Sequence, residues 1–407
     1  MQILFDIAAR RAELTPERPA LIEMESGEAI SYAALNDRAT RFATWLEQSG
    51  IKTGDRIAIL SHNSAAFFEI LFGCGKAGVI LVPLNWRQPA PELLPILQDA
   101  APKLLIHDAD NAKLAEELQA AHDIPLKSYD DCRRLIRETR PVQFDTAWPG
   151  DRTWYMLYTS GTTGKPKAVI QTLGMAYANA INIGQAIDLT STDSTMNFLP
   201  LFHTAGINLH TLPVLMHGGL VRILKKFDIE PVMAALTGGQ CTAFFGVPAI
   251  YQAISLHKDF PKADFSKVRS WGCGGAPLPA TLITAFAERG VLVCNGMGMT
   301  ETGPTVFLMD TEHAREKIGS VGKPQILAEV RIVDEAGAMV PDGEAGELQI
   351  RGPGITPGYW NNEAATRAAF TPDGWLKTGD VAKRDSDGYY YIVDRIKDMY
   401  ISGGENV

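Results

Sequence analysis

Among its 407 residues the chain has no uninterrupted apolar run near the ~18 residues that a membrane helix needs, so a transmembrane segment is excluded. The best candidate, residues 64–86, is broken by Glu69 and Lys76 and reads as a buried helix followed by a strand over 79–82. The N-terminus has neither a basic start nor a long apolar stretch, so no secretory signal is expected. The five cysteines (Cys74, Cys132, Cys241, Cys273 and Cys294) are scattered without CxxC spacing. That pattern, with an odd number and apolar surroundings, favours reduced, structural thiols in the cytoplasm over a disulfide framework, and no metal cluster is visible in the sequence. There is no dense Lys/Arg block, and 38 basic against 47 acidic residues leave a net charge of −9. Nucleic acid, which is bound through a basic face, is not an expected partner. Two familiar catalytic signatures are missing as well. Neither GxxxxGK[ST] nor GxSxG occurs around Ser160, which disfavours a P-loop kinase or ATPase and a serine hydrolase.

The chain does hold a loop made for polyphosphate. Directly after the strand-like run 154–158, Thr159, Ser160, Thr162 and Thr163 offer hydroxyls, Gly161 and Gly164 allow sharp turns, and Lys165 adds a compact charge. Glycines bring backbone N–H groups close to phosphate oxygens, and hydroxyls and an ammonium complete the donor set. Four further segments carry chemistry-bearing residues. His203 and Thr204 lie in 197–206, Gly274, Gly275 and Ala276 follow a strand, and Asn295, Gly296, Met297 and Gly298 lead to Thr300 and Glu301. Glycines at strand ends let a flat ligand approach the backbone. Thr300 suits a phosphate oxygen, and Glu301 offers hard oxygen to Mg²⁺. Asp380 in 374–380 can accept from both ribose hydroxyls, and Arg395 opens the segment 394–406.

Strand and helix patterns alternate along the first three quarters of the chain. Helical spacing spans Tyr32–Gln48, a turn leads to the strand Arg56–Leu60, and strands recur over 104–107, 195–199, 220–224, 242–247, 268–273 and 291–295. From Gly319 onward, strands over Glu329–Val333, 347–351 and 389–393 are separated by Asp/Gly turns with hardly a helix. The expected fold class is α/β. Two α/β subdomains with mostly parallel sheets flanked by helices (residues 1–180 and 181–318) precede a small antiparallel β-barrel-like subdomain (319–394).

Taken in this order and spacing, the five segments resemble the adenylate-forming superfamily of acyl-CoA synthetases, peptide-synthetase adenylation domains and luciferases. The branch most similar is that of bacterial fatty-acid and aryl-acid (feruloyl-type) CoA ligases. The resemblance implies that a carboxylate attacks ATP to give acyl-AMP, and that the thiol of CoA then displaces AMP, with Mg²⁺ as cofactor. It implies that Thr159 to Lys165 hold the outer phosphates, Thr300 the α-phosphate and Glu301 the Mg²⁺. It gives Asp380 and Arg395 the ribose, and it sets Gly274, Gly275, Ala276, Asn295, Gly296 and Met297 around adenine. The acyl group falls to His203, Thr204, Phe245, Gly274 and Gly298, with His203 as the gate. Met297 stands where the family often has an aromatic residue. Residues 395–407, with Lys397 as hinge, would lead to a C-terminal domain that bears a catalytic lysine, so both half-reactions are expected to be impaired in this chain. Residues 202–206 hold no carboxylate to pair with an amino-acid ammonium, while 244–248 and 272–276 are apolar and glycine-rich. An aromatic or phenylpropenoid acid is favoured over a fatty acid. Transfer to a carrier protein and a non-catalytic acyl-adenylate-binding module are the alternatives, and the sequence leaves oligomeric state open, a homodimer included.

Overall fold

A computed structural model describes residues 2–159 and 166–395, together with the backbone of 401–402 and 405–406. The expected residues Ser160, Gly161, Thr162, Thr163, Gly164, Lys165 and Lys397 lie outside the described residues.

The fold is α/β, with several mostly parallel sheets flanked by helices. A six-stranded sheet runs in the order Lys167–Thr172, Thr153–Thr159, Ile80–Pro83, Arg56–Leu60, Leu105–His107, Leu126–Ser128. Only its first pair is antiparallel, with Lys167 opposite Thr159, so these two strands flank residues 160–165. A second sheet joins Ser194–Asn197 and Leu220–Ile223 in parallel to Pro19–Glu23, and so draws strands from distant parts of the chain. A third sheet sets Ala243–Gly246, Ser270–Cys273 and Val293–Met297 in parallel, then adds Phe307–Leu308 antiparallel. Beyond residue 319, Glu329–Val333, Ala345–Arg351, Leu376–Arg384 and Tyr390–Arg395 pair antiparallel in that order. One short helix, Glu363–Ala369, interrupts that region. No described helix is long and apolar enough to cross a membrane.

Helix Ala65–Ala77 is buried along its whole length, which accounts for its almost continuous apolar sequence. Ser64 caps its first turn and Gly78, at φ 70°, ends it in the left-handed region. It lies against helix Tyr32–Gln48 so closely that a Cβ on Gly73 would sit 2.7 Å from Phe42 Cδ1. Its two interior charges are both paired. Glu69 accepts from Arg38 at 2.9 Å, and the Lys76 ammonium meets Asp6 and, at 2.6 Å, Asn36 Oδ1. Asp6 is 1% exposed and also caps helix Ile7–Leu14 by accepting from the N–H groups of Ala8 and Ala9.

Removing one partner of a buried ion pair leaves an uncompensated charge, whereas removing both is tolerated far better. Asp6→Ala is therefore expected to cost about 3–5 kcal/mol of unfolding free energy, and adding Lys76→Met should recover much of it. Urea denaturation checks this, and a loss below about 1 kcal/mol in the single variant would refute the account.

Candidate active site

Three short parallel strands build one wall of the site by their period of two. Phe244, Trp271, Cys273 and Val293 point into an apolar core. On the opposite face Phe245, Gly272, Gly274, Cys294 and Gly296 line a cavity of about 780 Å³. The absence of side chains at the glycine positions shapes this wall. A Cβ on Gly272 would lie 2.7 Å from the Phe245 ring, and one on Gly274 would lie 3.1 Å from the same ring and 3.3 Å from the Gly296 carbonyl. Backbone and the Phe245 ring therefore form a flat surface.

A second wall comes from the segment after strand Ser194–Asn197. Residues Ala205–Leu209 form a π-helical turn, a rare geometry that is frequent at functional sites. Asn197 holds it by donating to the Gly206 carbonyl and to Thr211 Oγ1, both at 2.8 Å. Asn208 ties it further, donating to Thr204 Oγ1 at 2.9 Å and accepting from the Tyr155 hydroxyl at 2.7 Å. The turn presents His203, Thr204, Leu209 and His210 to the cavity.

The charged end of the cavity is formed by Glu301, Tyr359, Lys167 and Arg395. Glu301 is 8% exposed and accepts from the Tyr359 hydroxyl at 2.9 Å. Burial holds its carboxyl above the usual carboxylate range, against the opposing pull of that hydrogen bond and of Lys167 and Arg395. The carboxylate in turn raises the Tyr359 phenol, already raised by burial. The backbone here is fixed from outside, since Gln171 Nε2 donates to the Thr300 carbonyl at 2.9 Å and Thr356 N–H donates to the Glu301 carbonyl at 2.8 Å.

Asp380 and Arg395 stand directly opposite each other on adjacent antiparallel strands. Arg395 Nε lies 2.7 Å from Asp380 Oδ1, and Asp380 is only 2% exposed. Its second oxygen, Oδ2, is buried without a hydrogen-bond partner among the described residues. Burial raises the Asp380 carboxyl and Arg395 opposes the rise. The result is a fixed acceptor whose one free oxygen has lone pairs to offer to hydroxyl donors.

Of the residues expected from sequence, the cavity lining gathers Thr159, His203, Thr204, Phe245, Gly274, Gly275, Gly296, Met297, Gly298, Thr300, Glu301 and Arg395. Ala276, Asn295 and Asp380 are not on the lining. Asn295 falls on the core-facing parity of its strand, paired with Cys273, and Asp380 reaches the cavity through Arg395. Sequence reading missed Tyr359, Lys167, His210 and Thr305, all on the lining. Lys167 sits at the end of the phosphate-loop run. The other three lie in stretches with no distinctive spacing, and only the fold brings them to the site.

Comparison with known proteins bears on this geometry. Residues 8–360 match the model of the family described as AMP-binding enzyme. A feruloyl-CoA synthase from Amycolatopsis sp. is 40% identical over 400 residues, which is 98% of this chain and 79% of that protein. The long-chain-fatty-acid–CoA ligase FadD13 of Mycobacterium tuberculosis is 34% identical over 403 residues, 98% of this chain and 80% of the relative. Among solved structures, o-succinylbenzoate coenzyme A synthetase from Bacillus subtilis in complex with ATP and magnesium ion superposes with a TM-score of 0.89. It is 31% identical, and the match covers 100% of this chain and 82% of that one. With the family model matched across most of its length and a curated relative at this identity, the chain belongs to the AMP-binding, adenylate-forming enzymes.

Proposed function

We propose that the protein activates an aryl-type carboxylic acid with ATP and transfers the acyl group to CoA. The observation that carries this reading is that one continuous cavity joins a charged end (Thr300, Glu301, Arg395) to an apolar chamber (Ile183, Leu209, Phe245, Phe307). A carboxylate is a poor acyl donor until one of its oxygens becomes a good leaving group. In the first step that oxygen attacks the α-phosphorus, the bond to the bridging oxygen breaks, and pyrophosphate leaves. In the second, the CoA thiol loses its proton and attacks the acyl carbon, and AMP leaves with the carbon–oxygen bonding pair. Both steps depend mainly on positioning and charge stabilisation.

The residues fit these groups. The free Oδ2 of Asp380 suits the ribose hydroxyls, and its ion pair with Arg395 holds that oxygen in place. Thr300 and Thr159 offer hydroxyls toward the phosphates. Glu301 is a buried carboxylate with a raised proton affinity, an environment that a cation would relieve. A Mg²⁺ ion held there would neutralise phosphate charge as it moves toward pyrophosphate. Gly274, Gly275 and Met297 supply the surface for adenine, the methionine packing through its polarizable sulfur. His203 is on the same lining, and on this reading it is the gate for the acyl group. The relatives named above include an aryl-acid and a fatty-acid ligase, and the ring-lined chamber favours the aryl acid.

Two outcomes are expected. A non-hydrolysable aryl-acyl sulfamoyladenosine should raise the melting temperature of the chain, and Asp380→Ala should abolish the rise. At a hundredfold excess over Kd the stabilisation is about 2.7 kcal/mol. An unshifted midpoint for the folded wild type would defeat the proposal.

The second outcome concerns Glu301. Burial raises its folded pKa above the ordinary 4.5, so the stability it contributes is present below that value and is lost as pH rises through the folded value. Glu301→Gln keeps an acceptor for Tyr359 and carries no charge. Its ligand-free form should be more stable than wild type at pH 8, with the gap closing toward pH 4.5, while Mg²⁺-dependent nucleotide binding is lost. Denaturation at both pH values decides this, and a variant less stable at pH 8 would contradict it.

A further inference from the structure

His210 Nδ1 and Thr305 Oγ1 are buried without hydrogen-bond partners among the described residues. Both residues are 6% exposed and both line the cavity. Apolar residues on the same lining include Ile183, Leu209, Phe245 and Phe307, and the Phe245 ring meets that of His210. The two walls are tied together by one side chain, since Asn179 donates to the Asn208 carbonyl at 2.5 Å and accepts from the Thr305 N–H at 3.3 Å. His210 and Thr305 are thereby held in fixed relation.

The position of His210 along the strands is also defined. His210 lies by the carbonyl of Ala243, the first residue of its strand, and its ring meets Phe245 nearly edge-on at 5.7 Å. The adenine-side glycines sit at the opposite, C-terminal ends of these strands. From Ser270, where the neighbouring strand starts, to Gly274 is four residues, or about 13 Å at a rise of ~3.3 Å per residue. That distance accommodates a ring on a short linker whose carboxylate is at the charged end. Burial drives the His210 pKa down to about 4, so the ring is neutral at physiological pH; its one N–H, on Nε2, goes to the Ala243 carbonyl, and the bare Nδ1 accepts from a hydroxyl.

We infer that His210 and Thr305 are specificity-determining residues that read a hydroxyl on the ring of the acyl group, which makes the substrate a phenolic aryl acid. The inference rests on the acyl-adenylate reading above and narrows it. A plain alkyl or phenyl group would fill the chamber and leave both atoms desolvated and unbonded, while a phenol would bond them. A site built to hydrogen-bond a substrate hydroxyl rejects the analogue without it far more strongly than an apolar pocket rejects a missing methylene.

The test is calorimetric titration of the full chain with 4-hydroxycinnamoyl- and cinnamoyl-sulfamoyladenosine, which differ by one hydroxyl. Wild type should bind the hydroxylated compound at least about tenfold more tightly. His210→Phe should reduce that ratio to below about threefold by lowering affinity for the hydroxylated compound alone, and Thr305→Val should reduce it partway. If His210→Phe fails to fold, the wild-type ratio and Thr305→Val carry the test. Equal binding of the two compounds by wild type overturns the inference and leaves the adenylate-forming proposal standing. Binding of neither overturns both.

Discussion

The site depends on the period-two alternation of three strands of only four or five residues each. Because successive side chains face opposite sides, one face of Ala243–Gly246, Ser270–Cys273 and Val293–Met297 must supply core while the other supplies cavity. The core face is heavy: Phe244 packs on Trp271 with ring centroids 5.3 Å apart, and Tyr251 and Phe286 close over them. The cavity face is almost bare, with glycine at three positions. A one-residue register slip would bury the glycines and expose the aromatics. Strong packing on one face therefore fixes the emptiness of the other, and a smooth surface for a planar ligand follows from how the core is built.

Charge is handled in two ways. Inside the buried helix Ala65–Ala77 it is partnered. Lys76 has Asp6 and Asn36, and Asp6 also caps a helix. Around the cavity the pairing stops halfway. Asp380 has one oxygen on Arg395 and the other without a hydrogen-bond partner among the described residues, and Glu301 has one tyrosine hydroxyl and a burial penalty. Both carboxyls are held above their ordinary range with burial as the main cause, the condition in which an added cation or hydroxyl gains most.

The regular elements were the most legible in sequence. Helix Tyr32–Gln48 and strand Arg56–Leu60 have the bounds that their periodicity predicts, and residues 64–86 are a buried helix followed by a strand. The motif residues were legible because glycine, hydroxyl and carboxylate clusters stand out against the alternating background. Strand Leu376–Arg384 was harder, since Gly379 and Asp380 are residues depleted in strands. It is a strand because Ala345–Arg351 and Tyr390–Arg395 flank it on both sides and override the local preference. Three lining residues carried no local signal. Tyr359 follows a glycine in an irregular segment, His210 ends a turn of unusual geometry, and Thr305 lies beside a proline. Their importance is a matter of long-range contact: Tyr359 meets Glu301 across 58 positions of sequence, and Asn179 meets Thr305 across 126.

Buried polar atoms in a well-packed protein find partners, so those that lack them mark places where the sequence is not optimised for folding alone. In this chain several of them gather around one cavity. His210 and Thr305 line it, Asp380 sits behind Arg395 on its wall, and Asn295 lies between the lining residues Cys294 and Gly296. They divide between its two regions. The carboxylate oxygen stands at the charged end, and the imidazole and hydroxyl stand in the apolar chamber. A ligand that satisfies both ends needs hydroxyl donors at one extremity, a polar group at the other, and a flat body between them. An acyl-adenylate with a phenolic ring has that distribution, and a fatty acyl-adenylate lacks the second polar extremity. The selectivity proposed for this site therefore comes from what the cavity leaves unbonded, more than from its size.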